Sequence, residues 1–182
     1  MDSITTIRPY DDTDLPGAAA ALTDVHATDG YPVEGVAHPE AWLRSDDVLA
    51  SWVAEAGGRI VGHVAVMRPR GEDAVTLWAE QSGDDVQHIA VLARLFVVRD
   101  ARNQALGERL VRTAMHHARH HNRRLVLDVM AKDTAAIRLY ERLGWLRTGQ
   151  ATHRYGDGQQ IQAICYVAQR PNAGRTPWPP RD

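Results

Sequence analysis

The stretch LARLFVVRDARNQALG, residues 92–107, decides the fold. It begins as an apolar segment, passes through a short polar loop and enters Leu106–His121, where apolar residues recur at helical spacing. The apolar run at Leu125–Met130 that follows suits a buried strand. A strand, a helix and a second strand of these lengths predict a parallel βαβ unit, because parallel strands need a long crossover connection.

The chain before this unit predicts hairpin-connected strands together with further helices. Gly57-Gly58 lies between two apolar runs and is typical of a two-residue hairpin turn. Asp12 or Thr13 can cap the first helix. Strands are predicted at 4–8, 48–56, 60–67 and 86–98, and helices at 12–25, 39–43 and 74–81.

The chain after the unit predicts one more helix and a final hairpin. The helix covers 134–143 and ends at Gly144, a residue favoured just past a helix. Two strands, 146–154 and 160–168, flank a turn at 156–158. The predicted fold class is therefore α/β, with a mixed, mostly antiparallel central sheet around a parallel βαβ core.

Length and composition suit one folded domain. The chain has 182 residues, of which 44% are hydrophobic, and a formal net charge of −2 without a strongly basic segment. We expect a single domain over residues 1–168, a flexible tail rich in Pro and Gly over 169–182, and no nucleic acid as partner. No apolar run approaches about 20 residues, so no membrane span is expected.

The cysteine content and the N-terminal residues indicate a reducing compartment. Cys165, the single cysteine, cannot form an intrachain disulfide and lies in an apolar run, where a buried thiol is expected. The first residues, MDSITTIRPYDD, lack the basic and apolar regions of a signal peptide. We therefore expect a cytoplasmic protein.

The segment HHARHHNRR, residues 116–124, raises the question of a metal site. His116/His120 and His117/His121 each have the i, i+4 spacing that two ligands on one helix face need. No third ligand or HExxH glutamate accompanies them, and the helix dipole favours basic residues in a last turn. We expect a solvated helix end and no metal. Serine-hydrolase and dinucleotide functions are disfavoured, because GxSxG and GxGxxG are absent.

The start of the helix after the polar loop is a candidate anion site. The first turn of a helix leaves N–H groups unpaired and carries the positive end of the helix dipole. Asn103 suits the N-cap position, which would leave the N–H groups near Ala105 to Gly107 facing outward. This reasoning leaves open a phosphate site or an ordinary connection between a strand and a helix.

Two segments resemble the signatures of the GCN5-related N-acetyltransferases, the GNAT superfamily. The coenzyme A loop of that family reads Q/R-x-x-G-x-G/A after a strand of L-x-V type, and here RNQALG stands at 102–107 after Leu95-Phe96-Val97. The second family signature, N-x-x-A-x-x-L-Y-x-x-x-G-F, is similar to DTAAIRLYERLGW at 133–145. The order of strands and helices matches over residues 4–168.

The resemblance implies an N-acetyltransferase that moves the acetyl group of its co-substrate acetyl-CoA directly to an amine of a small molecule, peptide or protein. It implies that N–H groups of residues 104–108 hold the pyrophosphate, and that the main chain of the long strand holds the pantetheine arm. It also implies that Tyr140 is the general acid for the leaving thiolate, a role that suits a phenol with a pKa near ~10. The implied cofactor-binding residues are Phe96, Val97, Val98, Arg102, Asn103, Gln104, Ala105, Leu106, Gly107, Glu108, Asp133, Ala136 and Tyr140.

Three features depart from the family pattern. Ala105 replaces the first motif glycine, which costs about 1–2 kcal/mol if a positive φ is needed there and little if the backbone is helical. Asp133 replaces the usual asparagine and removes its amide donors. The glutamate that often precedes the Arg-Leu-x-Val segment is missing from residues 89–92. The candidate bases upstream are Glu80, Asp84, Asp85 and His88.

The resemblance places the acceptor site at about residues 24–42 and 70–88. Carboxylates beside aromatic rings there would suit a cationic amine, although acidic loops also serve solubility. The carboxylates are Asp24, Asp29, Glu34, Asp73, Glu80, Asp84 and Asp85, and the aromatic residues are Tyr31, Trp42 and Trp78. The alternative function is a non-catalytic acyl-CoA-binding regulatory domain. A homodimer is compatible with the family.

Overall fold

The computed structural model describes residues 4–170, which form one sheet with helices on both faces. The strands are β1 (Thr5–Pro9), β2 (Val48–Ala56), β3 (Arg59–Met67), β4 (Ile89–Val97), β5 (Arg124–Met130), β6 (Leu146–Tyr155) and β7 (Gln159–Val167). The helices are α1 (Leu15–Asp29), α2 (Pro39–Leu43), α3 (Asp73–Ser82), α4 (Leu106–His120) and α5 (Thr134–Arg142). No helix in this part of the chain has both the length and the apolar character needed to cross a bilayer.

The strands lie in the order β1-β2-β3-β4-β5-β7-β6. Neighbouring strands are antiparallel except β4 and β5, which run parallel and are connected by α4. The predicted fold class, a mixed and mostly antiparallel sheet around a βαβ core, is confirmed.

The larger apolar core lies between the sheet and the helix layer that contains α1 and α4. The helix α4 buries the apolar stripe that its sequence predicts, and each large aliphatic side chain buried there stabilises the fold by about 1.5–3 kcal/mol. The buried residues of α4 are Leu106, Leu110, Val111, Ala114, Met115 and Ala118. A smaller apolar cluster under α3 covers the opposite face of the sheet.

The long strand is shorter than predicted. It starts at Ile89 because Val86–His88 forms a 3-10 turn. The Asp85 carboxylate caps that turn by accepting from the Gln87 N–H at 2.9 Å. The expectation that strand structure begins at residue 86 was therefore wrong, because a local cap outweighed the apolar pattern.

The first helix also differs from its prediction. Asp11 caps a separate 3-10 turn, Asp12–Asp14, so that α1 itself begins at Leu15. The helix continues four residues past the predicted end and stops where Gly30 adopts a left-handed conformation (φ 68°). The predicted tail mostly lies outside the described residues, which end at 170.

A gap opens in the sheet between β4 and β5. The two strands pair only where Ile89–Val91 lies beside Arg124–Val126. Beyond Val91, β4 continues to pair with β3 as far as Val97, while β5 continues to pair with β7. The facing edges of β4 and β5 therefore separate towards the start of α4, which is where the sequence places the anion site.

Candidate functional site

The first turn of α4 presents a run of unpaired N–H groups. The first amide of the helix to find a partner is Arg109, whose N–H donates to the Ala105 carbonyl at 3.0 Å. The six preceding N–H groups, from residues 103–108, have no acceptor within residues 4–170, and no side chain caps the helix. Three of these donors, from residues 106–108, lie in the first turn at the positive end of the helix dipole, where a phosphate or pyrophosphate group can bind.

Left-handed residues shape the loop in front of the helix. Ala105 is the N-cap of α4, with φ 55° and ψ 24°, and Asn103 has φ 67°. The prediction of Asn103 as the N-cap is therefore wrong, because the chain turns once more before the helix begins. A left-handed residue followed by a helical one directs successive N–H groups into a concave surface that suits anions.

Ala105→Gly is expected to raise the free energy of unfolding by up to about 1 kcal/mol, measured by denaturant unfolding. Alanine in the left-handed region costs about 1–2 kcal/mol, which outweighs the about 0.5–1 kcal/mol entropic cost of glycine. Asn103→Gly is the matched control. Asparagine adopts a positive φ readily, so this substitution should raise the free energy of unfolding only slightly. A loss of stability in Ala105→Gly would contradict the strain at residue 105.

Arg102 ties the loop to the rest of the fold. Its guanidinium forms a salt bridge with Asp29 at the end of α1, and its Nε donates to the Val97 carbonyl at 3.1 Å. The hydrogen bond from Arg102 lowers the pKa of the Asp29 carboxyl. Arg102 therefore lies beside the anion site with a carboxylate partner already in place, and direct binding of phosphate by its side chain stays a prediction.

Glu108 is the one acidic side chain in the first turn of α4. Its carboxylate accepts from Arg112 at 2.8 Å and lies 3.6 Å from Arg142 on α5. These two arginines offset the negative charge of Glu108 next to the unpaired N–H groups. The two arginines therefore partly compensate the charge that Glu108 adds beside the N–H groups.

The end of β4 supplies only part of the predicted main-chain contacts. The Val98 N–H donates to Val61 at 2.8 Å, and the Val97 carbonyl accepts from Arg102. Phe96 is buried, and its ring stacks on His63 at 5.3 Å between centroids. Binding of a pantetheine arm by the main chain of Phe96, Val97 and Val98 stays a prediction.

Tyr140 on α5 combines a buried ring with a free hydroxyl. The residue is 5% exposed, and its ring packs against Trp145 and Tyr166 at centroid distances of 5.5 and 6.3 Å. Within residues 4–170 its hydroxyl has no hydrogen-bond partner, yet it is not sealed from solvent. Burial raises the pKa of Tyr140, with smaller contributions from Tyr31 and Asp133. Tyr140 therefore stays protonated at neutral pH and can donate to a neighbouring anion.

Tyr31, one of the aromatic residues of the expected acceptor segment, is a second phenol with a raised pKa. Its ring packs edge-on against Trp42 at 6.0 Å. Burial raises the pKa of Tyr31, and the nearby Arg94 opposes that shift. Tyr31 and Tyr140 both pack in the larger apolar core, although they lie far apart in the sequence.

The aromatic residues predicted for the acceptor site lie in two different parts of the structure. Tyr31 and Trp42 lie together, as expected, but Trp78 lies on α3 under the Arg124 guanidinium at 4.8 Å. Its indole N–H donates to Asp84 at 2.8 Å. The structure therefore does not bring Trp78 and Asp84 to the Tyr31 cluster, and it uses Asp84 as a local hydrogen-bond partner.

Asp133 and Ala136 lie at the start of α5. Asp133 is the N-cap residue of that helix, makes no side-chain cap, and lies 3.3 Å from the Lys132 ammonium. Its charge contributes to the raised pKa of Tyr140, after the larger effect of burial. Contacts of both residues with coenzyme A stay predictions.

The histidine segment lies at the C-terminal end of α4, and the cysteine is buried in the sheet. His116 and His120 are exposed, and His117 packs against Trp52 at 5.1 Å. Within residues 4–170 no group of three or more His, Cys, Asp or Glu side chains is placed to hold a metal ion. Burial and the neighbouring Asp128 raise the pKa of the Cys165 thiol, which disfavours a nucleophilic thiolate.

Comparison with known proteins places the chain in a family. Residues 19–145 match the family model described as Acetyltransferase (GNAT) family. A curated relative, the mycothiol acetyltransferase of Corynebacterium glutamicum strain R, is 31% identical over 129 residues, which cover 63% of this chain and 43% of the relative. The chain therefore spans less than half the length of the curated relatives it matches.

Solved structures share the fold. The ribosomal-protein-S18-alanine N-acetyltransferase of Escherichia coli has a TM-score of 0.68 and 22% identity, covering 96% of this chain and 99% of that chain. The NAA60 protein of Arabidopsis thaliana, solved in complex with acetyl-CoA, has a TM-score of 0.68 and 18% identity, covering 90% of this chain and 97% of that chain. At these identities the likeness concerns the fold alone.

Proposed function

The chain belongs to the acetyltransferase (GNAT) family, and from that premise we propose that it transfers the acetyl group of acetyl-CoA directly to an amine. The observation that carries the proposal is the run of six unpaired N–H groups at residues 103–108, at the open end of the gap between β4 and β5. This run suits the pyrophosphate of coenzyme A. Tyr140 lies on α5, the helix that follows β5, and its hydroxyl has no hydrogen-bond partner within residues 4–170.

The reaction needs one bond formed and one broken at the acetyl carbonyl carbon. The amine nitrogen attacks that carbon, the carbon–sulfur bond breaks, and the sulfur leaves as a thiolate. Tyr140 donates its phenolic proton to the thiolate, and the proton lost by the amine returns to the phenolate through solvent. The unpartnered hydroxyl and the raised pKa of Tyr140 support this role.

The acceptor amine must lose a proton before it can attack, and four upstream residues are the candidate bases. An amine with a pKa of about 10 is about one part in a thousand neutral at pH 7. The upstream candidates Asp84 and Asp85 are engaged as hydrogen-bond acceptors of Trp78 and Gln87. Exposed Glu80 and His88 lie in solvent. We propose that solvent water removes the amine proton.

Release of free coenzyme A tests the function. Purified protein with acetyl-CoA and a panel of amines should release the thiol, detected with a chromogenic disulfide, only when an acceptor is present. The alternative, a non-catalytic acyl-CoA-binding domain, is favoured by the absence of a carboxylate or imidazole from residues 89–92. Calorimetric binding of acetyl-CoA without product from any amine would favour that alternative, and absence of binding would contradict both.

A further inference from the structure

The long strand is interrupted by a bulge at Arg94. Its φ is 57°, in the left-handed region that non-glycine residues rarely adopt within a strand. The register with β3 shifts between His63 and Ala65, so that β4 has one residue more than β3 at this point. His63 holds the bulge, since its Nδ1 lies 2.8 Å from the Arg94 carbonyl oxygen and must donate to it. Bulges of this kind commonly re-aim a side chain beside an active site.

The Arg94 side chain is a buried cation without a counter-ion. The residue is 8% exposed, and its Nη1 is sealed from solvent with no hydrogen-bond partner. Within residues 4–170 no carboxylate forms a salt bridge with it, and nearby Asp47 is already paired with Arg70 at 3.0 Å. Its guanidinium lies 4.9 Å from the centre of the Trp42 ring, which holds it in a fixed position. A buried charge without a partner is unfavourable for folding, and a bound anion would remove that cost.

Arg94 lies beside the gap and against the aromatic residues of the expected acceptor segment. It belongs to the part of β4 that no longer pairs with β5, beyond Val91. Its guanidinium packs on Trp42, whose ring packs edge-on against Tyr31 at 6.0 Å between centroids. The guanidinium is therefore among the residues where the acceptor is expected to bind.

The carboxylates of the expected acceptor segment at 24–42 make contacts away from Arg94. Asp29 is paired with Arg102, and Glu34 accepts a hydrogen bond from His153. Within residues 4–170, the buried charge at the site that has no salt-bridge partner is therefore the positive charge of Arg94. This distribution favours an acceptor with a negative group over a purely cationic amine.

We propose that Arg94 binds the carboxylate of the acceptor, and that the acceptor is a free amino acid or a similarly small amine with a carboxylate. The inference rests on the proposed acetyl transfer and deepens it. A planar guanidinium matches a carboxylate through two parallel hydrogen bonds. A carboxylate carries one negative charge, which matches the single unpaired cation, whereas a phosphate dianion would leave charge unbalanced. Arg94 is then a specificity-determining residue.

Matched acceptors test the proposal. We expect the preferred amino acids among the common twenty to react with a kcat/KM at least about tenfold above that of their C-terminal amides. Arg94→Gln should raise the KM for the acid about 100-fold, abolish the preference for acid over amide, and change the KM for acetyl-CoA less than about threefold. Arg94→Lys keeps the positive charge but not the planar donor geometry of the guanidinium. Its KM for the acid should lie between those of the wild type and Arg94→Gln. Equal use of acids and amides by the wild type would overturn the proposal.

Stability and product binding separate this proposal from its premise. Arg94→Gln removes an unpaired buried charge, so its melting temperature should equal or exceed that of the wild type. N-acetylated amino acids and their amides, titrated calorimetrically into the protein saturated with coenzyme A, need no turnover to report on the site. Tighter binding of the acids that is lost in Arg94→Gln supports the anion site even if no amine is acetylated. Equal binding of acids and amides, or none, overturns it.

Discussion

Tyr140→Phe is expected to reduce kcat for acetyl transfer about 100-fold, because a positioned general acid contributes about 10²–10⁴. The KM for acetyl-CoA should change less than about threefold, since the phenolic proton acts on a thiolate that exists only as the bond breaks. The hydroxyl has no partner within residues 4–170, so its removal breaks no intramolecular hydrogen bond. The melting temperature should therefore stay unchanged, and steady-state kinetics on folded protein measures the effect.

Two neighbouring tyrosines provide the controls. The Tyr166 ring lies 6.3 Å from that of Tyr140, but its hydroxyl donates to Glu141 at 2.9 Å. Tyr166→Phe should therefore cost about 1 kcal/mol of stability and leave kcat nearly unchanged. Tyr31→Phe removes the other phenol at the site. Wild-type turnover in Tyr140→Phe together with a large loss in Tyr31→Phe would transfer the acid role to Tyr31.

The pH dependence of kcat follows from the same burial. Burial raises the pKa of Tyr140 above its ordinary value of about 10, so the protonated form is present throughout the neutral range and is lost only in strong alkali. The rate should rise from pH 6 to pH 9 as more of the amine is neutral, without a decline from ionisation of Tyr140. A fall in kcat near pH 7 would point to a different acid.

Local patterns in the sequence were sufficient for the framework of the fold. The stripe of apolar residues in α4 has the helical period, and the helix buries that stripe. The apolar run at Leu125–Met130 is a central strand in the structure, beginning one residue earlier. Both predictions depend on residues a few positions apart, which is where periodicity carries information.

The features that make the site depend on contacts between distant residues. Arg102 pairs with Asp29, which lies 73 positions away in the sequence. The loop that follows Arg102 places the N-cap of α4 at the left-handed Ala105, whereas the sequence suggested Asn103. The bulge at Arg94 arises from the register between β4 and β3, and no local pattern in LARLFVV indicates it. The unpaired charge of Arg94 likewise depends on distant contacts, because the nearby Asp47 is paired with Arg70.

Gly107→Asp is expected to weaken acetyl-CoA binding at least about 100-fold while leaving the fold as stable as the wild type or slightly more so. A Cβ at this position would meet the Leu139 Cδ2 at 3.4 Å, which is ordinary contact. A carboxylate in the first turn of a helix is favourable by about 0.3–1 kcal/mol. The same carboxylate would occupy or repel the place of the pyrophosphate at the unpaired N–H groups. Calorimetric titration with acetyl-CoA and thermal unfolding measure the two effects.

Two variants at the same position separate charge from size. Gly107→Asn has nearly the shape of the aspartate without its charge and should lose about tenfold in affinity, and Gly107→Ala should lose about threefold or less. The difference in acetyl-CoA affinity between the Asp and Asn variants should decrease as the salt concentration is raised. The repulsion acts partly through solvent, where the Debye length falls to about 3 Å at 1 M salt. Equal affinity of the Asp and Asn variants at low salt would mean that the pyrophosphate does not lie on this turn. The N–H groups of residues 103–108 would then need another ligand, and the gap between β4 and β5 would lose its link to coenzyme A.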